Sequence, residues 1–365
     1  MTKKITILGR GNAGCFAALH FATYTKAEVE LLYDPGTSAE KVGQATVLEA
    51  PVLLWHGLGL DWYHNPIEAT PKFGVLYENW GKKDKPLFHP FSFNSVAIHY
   101  SPQKLQDAII NSGKFKVKEQ KINDPKEVDS EYVFDCRGKL WNQPEQYETL
   151  DNPLNSVLLK QTNDRVPNIN WTRCVATPDG WTFVIPNTNN TTSNGYLYNK
   201  DITPKEKAKD NFKEIFKVED PIEGFNFNCY LARNPIQDNV FLGGNRLFFL
   251  EPLEATAVQA YLKWYRLCHD HIFDGVPQEV IVTKFKNYVH ELERFIYWHY
   301  LFGSKYDTKF WQKAAKYKIK DKAFNKLVAY ARQTSMTTLR GGKGINGSFY
   351  GQWLPISFKY WDNGI

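Results

Sequence analysis

A glycine-rich turn between an apolar run and a helix-like segment constrains the fold most. Ile5-Thr6-Ile7-Leu8 predicts a buried strand, Gly9-x-Gly11-x-x-Gly14 follows at once, and the alanine-rich segment 15–24 predicts a helix. Such glycines allow a tight turn and let backbone N–H groups approach a pyrophosphate at the positive end of a helix. A second predicted strand, 29–33, ends at Asp34, where a carboxylate is expected to bind ribose hydroxyls. We therefore predict a Rossmann-like dinucleotide-binding unit of the α/β class.

The rest of the chain changes its pattern twice. Alternating apolar residues predict an antiparallel sheet from segments 156–161, 171–177 and 181–185, and the region from about 256 to 331 is mainly helical in its spacing. Residues 42–80 are expected to form loops lining a site, and residues 187–194 a turn or mobile loop. We therefore predict a dinucleotide-binding module over 1–255, with an inserted antiparallel sheet facing the substrate at about 150–235. A mainly helical part, 256–365, then completes the substrate pocket.

Composition excludes several other classes of protein. The five cysteines are far apart and form no metal-binding spacing, so we expect buried free thiols in a reducing compartment and no metal site. No signal-peptide pattern and no apolar run of ~18 residues is present, which predicts a cytoplasmic protein without a membrane segment. The net charge of +6 is spread along the chain, so a nucleic-acid partner is not expected. Whether the protein forms a homo-oligomer stays open.

Six further motifs occur in a fixed order along the chain. Together with the glycine turn they make the chain similar to the flavin-dependent tryptophan halogenase family, and its short length resembles the compact phage-encoded members. The motifs are residues 42–46, Asp135-Cys136-Arg137-Gly138, Gly180–Pro186, and residues 249–256, 295–300 and 307–311.

The resemblance implies a Rossmann-like FAD-binding domain of the flavin-monooxygenase type. Reduced FAD would come from a separate flavin reductase and, with O2 and a halide, would produce hypohalous acid for an aromatic small molecule. The implied cofactor-binding residues are Gly9, Gly11, Asn12, Ala13, Gly14, Asp34, Gln44, Ala45, Asp135, Gly138 and Gly244.

Two residues match the catalytic positions of the family. Lys72 lies eight residues before Trp80, where the family has its lysine, and Glu254 is the last residue of the E-P-L-E motif. An ammonium or amine in a dry pocket can hydrogen-bond hypohalous acid or form a haloamine. A nearby carboxylate can orient that acid or accept the ring proton. The resemblance therefore implies halogenation beside Lys72 and Glu254.

The chain departs from the family pattern at four places, and one of them is Arg137, which replaces the serine of the family's second FAD motif, D-C-S-G. Ala255-Thr256-Ala257 replaces S-T-G, whose Thr-Gly amides hold the halide in the family, so we expect the amides of Thr256 and Ala257 to bind halide. Alanine enters positive φ less freely than glycine, which could change this pocket. We therefore expect bromide or iodide to be favoured, with chloride possible. Gln44 replaces a glutamate. The barrier between flavin and substrate is expected at Trp181, Phe183, Ile185 and Pro186, where Phe183 replaces a second tryptophan.

Two other functions stay open at this point. An FAD-dependent aromatic hydroxylase would share the fold, and an inactive FAD-binding redox module would explain the changes at 183, 255 and 257. The substrate is not specified by these motifs, and varied phenols, indoles or heteroaromatics are expected. The chain is rich in aromatic residues, and some of them could form the walls of the substrate pocket, for example Trp55, Trp62, Tyr63, Trp298 and Phe302. Packing in the core is an equally open role for each of them.

Overall fold

The glycine turn connects a strand and a helix in the predicted way. The structure is a computed structural model that describes residues 2–37, 44–46, 48–91, 95–163, 170–187, 190–340 and 350–365. Within them, β1 (Lys4–Leu8), α1 (Asn12–Tyr24) and β2 (Glu28–Tyr33) form a parallel βαβ unit, and Ile5 of β1 is opposite Val29 of β2. The helix begins three residues earlier than predicted, because Gly14 belongs to its first turn.

The remaining strands are short, and many of them pair with strands distant in sequence. In chain order they are β3 (Gln44–Ala45), β4 (Thr70–Lys72), β5 (Gly74–Glu78), β6 (Leu87–Pro90), β7 (Ala97–Tyr100), β8 (Lys116–Glu119), β9 (Tyr132–Asp135), β10 (Tyr147–Thr149), β11 (Ser156–Thr162), β12 (Trp171–Thr177), β13 (Gly180–Pro186), β14 (Thr192–Tyr198), β15 (Glu223–Asn226), β16 (Tyr230–Ala232), β17 (Ile236–Gln237), β18 (Val240–Leu242) and β19 (Phe248–Phe249).

The helices concentrate in the C-terminal part of the chain. After α1 they are α2 (Glu49–Leu58), α3 (Pro102–Ile110), α4 (Lys205–Phe216), α5 (Thr256–Asp274), α6 (Gln278–Tyr300), α7 (Lys309–Ala314), α8 (Lys322–Gln333), α9 (Met336–Arg340) and α10 (Pro355–Gly364).

The first large sheet is the Rossmann-like one. Its six strands run in the order β17-β18-β9-β1-β2-β8, and every pairing except the β17–β18 edge is parallel. Strands buried on both faces are expected to be apolar, and Ile5 and Ile7 are fully buried. The predicted α/β class, with a mainly helical C-terminal part, is confirmed. The domain boundary at 255 stays a prediction.

The second large sheet is mixed rather than purely antiparallel. Its seven strands run β15-β11-β14-β13-β12-β5-β6, and β12 pairs in parallel with β5. The prediction of an antiparallel sheet was incomplete because β5 comes from residues expected to be loops. Gly74 at the start of β5 explains the close approach, since a Cβ there would lie 2.4 Å from the His89 carbonyl oxygen. β5 directly follows β4, the strand that contains Lys72, so the segment with Lys72 is connected to this sheet.

Two segments expected to lack regular structure contain it. Within 42–80, of which residues 42, 43 and 47 lie outside the described residues, α2 begins beside Pro51 and ends at Gly59, whose φ is +63°. Proline in the first turn and glycine at the end mark a helix, and the irregular composition concealed it. In 187–194, Thr192 already begins β14 and pairs with Pro186, so the turn is shorter than predicted. Residues 188 and 189 lie outside the described residues.

The C-terminal segment packs against the core. Trp361 of α10 is fully buried against Tyr77 and Trp80, with ring centroids 4.7 and 6.1 Å away. Residues 341–349, which precede this segment, lie outside the described residues. All five cysteines are buried and free, as predicted. Within the described ranges, no helix combines the length and apolar character needed to cross a bilayer.

Candidate active site

A cavity of about 990 Å³ lies between the two large sheets and the start of α5. The glycine turn after β1 lines it, and so do Lys72 of β4 and Glu254 just before α5. The strands β11 and β13 contribute apolar side chains to its wall. Residues predicted to bind a cofactor and residues predicted to act on a substrate therefore share one cavity.

The glycine turn forms a cradle that side chains would fill. Gly9 has a φ of +99°, and Gly11, Asn12 and Ala13 line the cavity at the start of α1. Gly14 does not line it, but a Cβ on Gly14 would lie 1.9 Å from the Gly9 carbonyl oxygen. Gly14 therefore acts through the close packing of the turn. The first backbone N–H groups of α1 are left for an anion, as at other helix N-termini.

Among the described residues, three arginines line the same cavity, and sequence reasoning did not select any of them. They are Arg10, Arg137 and Arg246. Asp135 is buried and holds two of them, since Nε of Arg137 donates to its Oδ1 at 2.8 Å and Nη2 of Arg246 lies 3.3 Å from its Oδ2. Asp135 itself does not line the cavity, so it would act on an anionic cofactor through these guanidinium groups. The unusual Arg in Asp-Cys-Arg-Gly was the signal available.

Asp34 and Gln44 lie where the sequence predicted cofactor contacts. Asp34 ends β2 and lines the cavity, and the backbone N–H of Gly36 donates to its Oδ1 at 2.9 Å. That hydrogen bond holds the pKa of the Asp34 carboxyl below its usual value, so an ionised acceptor faces the site. Gln44 accepts from Nδ2 of Asn12 at 2.9 Å and from the Tyr100 hydroxyl at 3.2 Å. The amide therefore joins a neutral network where the family has a charge.

These residues fit FAD. The glycine cradle and the arginines match a pyrophosphate, and the Asp34 carboxylate matches ribose hydroxyls. Ala45 and Gly138 also line the cavity, whereas Gly244 does not. Gly244 has a φ of +55°, and a Cβ there would lie 2.5 Å from Cβ of Ala13. Gly244 therefore supports the turn through packing. Residues 42 and 43 of the matching motif lie outside the described residues.

Lys72 is buried at the cavity wall with little polar support. Its side chain is 2% exposed, its Nζ donates to the Thr46 carbonyl oxygen at 3.4 Å, and Nζ lies 5.5 Å from the centre of the Phe91 ring. Burial lowers the pKa of Lys72, and the negative charge of Glu254 opposes this only in part. The amine is thus closer to its neutral, nucleophilic form than a surface lysine.

Glu254 is buried and held in an uncommon backbone conformation. Its φ is +67°, and Ala255 follows with a φ of +53°. The left-handed φ therefore lies at these two residues, and Ala257, where we expected the glycine-to-alanine change to matter, is inside α5. Such conformations persist at non-glycine residues only when the surroundings hold them, and they are common in active sites. Trp353 helps to hold the Glu254 carboxylate in place, since its Nε1 donates to Oε2 of Glu254 at 3.3 Å.

Thr256 and Ala257 begin α5 and line the cavity, as the halide-site prediction requires. The backbone N–H groups of a first helical turn have no partner inside the helix and carry partial positive charge. The loss of serine at 255 removes one hydroxyl donor from this end of the cavity. An anion can therefore bind here, in a site poorer in polar donors than the family pattern.

The predicted barrier residues lie on β13 and are buried. Trp181, Phe183 and Ile185 line the cavity, whereas Pro186 is buried away from it. Phe183 packs over the neighbouring strand, because a Cβ on Gly195 would lie 2.1 Å from its ring. Nε1 of Trp181 donates to Oε2 of Glu251 at 3.4 Å, which fixes the indole.

None of the five wall candidates chosen for their aromatic rings, Phe302 included, lines the cavity. Trp55 and Trp62 are 53% and 51% exposed and Tyr63 is fully exposed, so that prediction was wrong for these three. Trp298 is buried against Phe324, with ring centroids 5.4 Å apart, and belongs to the core. The described ranges contain no group of three or more His, Cys, Asp or Glu side chains suited to a metal ion.

Comparison with known proteins adds independent findings. The family model described as tryptophan halogenase matches residues 4–106 and 97–347. The tryptophan 6-halogenase ThaL of Streptomyces albogriseolus is 24% identical over 207 residues, which are 53% of this chain and only 37% of that relative.

Solved structures resemble the whole chain in fold. Xcc4156, a flavin-dependent halogenase from Xanthomonas campestris, is 16% identical, with a TM-score of 0.82 over 100% of this chain and 89% of that one. MibH, a lanthipeptide tryptophan 5-halogenase, is 16% identical, with a TM-score of 0.84 over 100% of this chain and 85% of that one. Identities this low establish the shared fold alone.

Proposed function

Because the chain belongs to the tryptophan halogenase family, we propose that it uses reduced FAD, O2 and a halide to halogenate an aromatic small molecule beside Lys72. The observation that carries this proposal is the shared cavity. It brings the glycine cradle of the Rossmann-like unit together with a fully buried lysine and a buried glutamate. A lysine without a close ion pair is costly to bury and is therefore a candidate for function.

The cofactor would be held by residues that already form the cavity wall. Gly9, Gly11, Asn12 and Ala13 would bind the pyrophosphate with the arginines, and Asp34 the ribose. Reduced FAD, supplied by a separate flavin reductase, provides together with O2 the oxidising power that turns a halide into hypohalous acid. The amides of Thr256 and Ala257 hold the halide, and Trp181, Phe183 and Ile185 keep the aromatic substrate away from the cofactor.

Lys72 and Glu254 would act on the hypohalous acid. The Lys72 amine hydrogen-bonds it or takes the halogen as a haloamine, in a pocket from which water is excluded. Glu254 holds its carboxylate beside the same cavity and accepts the proton that the ring loses. Phenols, indoles and other electron-rich rings are the substrate class suited to this electrophile.

The proposal is tested by product mass. The protein is incubated with FAD, NADH, a flavin reductase and a panel of phenols and indoles, with chloride, bromide or iodide as the only halide. We expect product masses that change with the halide supplied. Products that gain one oxygen whatever the halide would instead identify an aromatic hydroxylase. FAD binding without any product across the panel would favour the inactive redox module.

Bromide or iodide is expected to be used in preference to chloride. The anion site at the start of α5 has lost the serine hydroxyl at 255 and has a methyl group at Ala257. Losing water costs chloride more than the larger halides, and a site with fewer donors compensates less of that cost. With equal bromide and chloride, we expect about tenfold more brominated than chlorinated product, a difference of about 1.4 kcal/mol.

A matched variant tests the cause of that preference. Ala255→Ser combined with Ala257→Gly restores the family pattern without touching Lys72 or Glu254, and the chlorinated fraction is expected to rise. Equal use of chloride by the unchanged protein would contradict the prediction, as would a preference that the double variant leaves unaltered.

A further inference from the structure

Side chains from distant parts of the chain meet at the Glu254 carboxylate. Nε2 of His299, on α6, lies 3.5 Å from Oε1 of Glu254, and Nε1 of Trp353 donates to Oε2 at 3.3 Å. His299 is 0% exposed, Trp353 3% and Glu254 6%. The carboxylate is thus contacted on both oxygens by groups that solvent does not reach. His299 has no role in the reaction proposed above.

The hydrogen bonding of His299 fixes which nitrogen can exchange a proton. Nδ1 lies 2.9 Å from the Phe295 carbonyl oxygen, and a carbonyl only accepts, so Nδ1 carries a hydrogen. In the described part of the chain, Nε2 of His299 and Oε1 of Glu254 have no hydrogen-bond partner. A neutral imidazole and a carboxylate would present two lone pairs to each other here. In a dry interior this is unfavourable, so one proton must be present on the pair.

We infer that His299 is a positioning residue that shares one proton with Glu254 and, with Trp353, holds the carboxylate in place for the reaction at Lys72. The inference rests on the proposed halogenation. As the ring carbon bonds to the halogen of hypohalous acid, the halogen–oxygen bond breaks and hydroxide leaves. The pair gives its proton to the hydroxide, forming water, and then recovers one proton from the ring carbon. The net products are the halogenated ring and water, and the pair returns to its starting state.

Other titratable side chains pack around His299 and Trp353. His89 on β6 stacks on Trp353 with ring centroids 4.6 Å apart and planes at 12°. Burial and, to a lesser extent, the neighbouring His299 together lower the pKa of His89 to about 4, so His89 is neutral near pH 7. Tyr77 on β5 stacks on His299 at 5.8 Å. The negative charge of Glu254 raises the pKa of Lys72 on β4 against the larger lowering by burial.

His299→Gln tests the role of the exchangeable nitrogen. Glutamine keeps a hydrogen-bond donor near Oε1 of Glu254 but cannot carry a proton to and from it. We expect kcat for halogenation to fall about 100-fold with KM changed less than about threefold, as for loss of a proton-transfer group. Production of hypohalous acid, measured with a chemical trap in the absence of substrate, should be unchanged.

Nitrogen-15 NMR of histidine-labelled protein tests the shared proton without any turnover. The His299 signal is assigned by its loss in His299→Gln, and Glu254→Gln is expected to shift its Nε2 resonance. Trp353→Phe, which keeps the ring but removes the donor to Oε2, should shift the same signal less. The matched control is His56→Gln, at an exposed histidine, which should alter neither the His299 signal nor kcat.

Failure of the inference and failure of the proposed function give different results. If the unchanged protein makes no halogenated product while Glu254→Gln still shifts His299, the pair exists and the proposed function fails. A halogenating protein whose kcat is unchanged in His299→Gln would overturn the inference. So would a His299 resonance that Glu254→Gln leaves in place.

Discussion

Lys72→Met is expected to lower halogenation by about 10³-fold while FAD binds as tightly as before. Methionine fills nearly the same volume at the buried end of β4, so the cavity wall is kept. It offers no donor to hypohalous acid and no amine to take the halogen. Steady-state product formation measured by mass spectrometry, together with FAD affinity by fluorescence titration, separates lost chemistry from lost binding.

The same change is expected to stabilise the protein by about 1–2 kcal/mol, because an apolar side chain replaces a buried amine with one weak hydrogen bond. The pH dependence of the free energy of unfolding gives a sharper test. The pKa of Lys72 is lowered from its usual 10.5 in the folded protein, so between the two pKa values the unfolded chain binds more protons than the folded one. The contribution of Lys72 to the free energy of unfolding therefore rises with pH across that window, and Lys72→Met should remove this rise.

Lys104→Met, at an exposed lysine on α3, is the matched control and should change neither activity nor this pH dependence. Halogenated product formed at the unchanged rate by Lys72→Met would show that free hypohalous acid performs the reaction. The assignment of the site to Lys72 would then fail, even though the protein would still be a halogenase.

Local sequence patterns were sufficient for the Rossmann-like unit. A strand, a glycine turn and a helix are adjacent in sequence, and their geometry depends on neighbours a few residues away. The same reasoning failed for α2 and β5. Pro, Gly and Trp residues give segment 42–80 no regular apolar spacing, and the helix in it is stabilised by tertiary packing. Ala50, Leu53 and Leu54 of α2 are buried against the core, a fact that no local pattern records.

The candidate site was predictable only where a motif carried it. Lys72 and Glu254 were selected by resemblance, and the structure brings both to one cavity. Trp353 lies 99 residues from Glu254 in an aromatic tail without periodicity, so nothing in the sequence pointed to their contact. The left-handed φ at Glu254 was not predicted either, because glutamate, unlike glycine, does not indicate that conformation in a sequence.

Gly14→Ala is expected to weaken FAD binding by at least about 100-fold, or about 2.7 kcal/mol, while most of the fold remains. The new Cβ would lie 1.9 Å from the Gly9 carbonyl oxygen, a backbone atom that cannot rotate away. The turn must therefore open, and opening it moves Gly9 and Gly11 away from the positions in which their backbones face the cavity. Asp34 and the arginines are unchanged, so the loss reports on the cradle alone.

Thermal unfolding with and without FAD separates this effect from general destabilisation. A ligand that binds the folded state raises Tm, and the increase follows its affinity. Gly14→Ala should lower Tm somewhat without FAD and lose most of the FAD-dependent increase. Gly113→Ala is the matched control, because its φ of +69° gives similar strain but no atom lies within 4 Å of the new Cβ. It should lower Tm yet keep the increase, and an equal increase in Gly14→Ala would mean that FAD does not bind at the glycine turn.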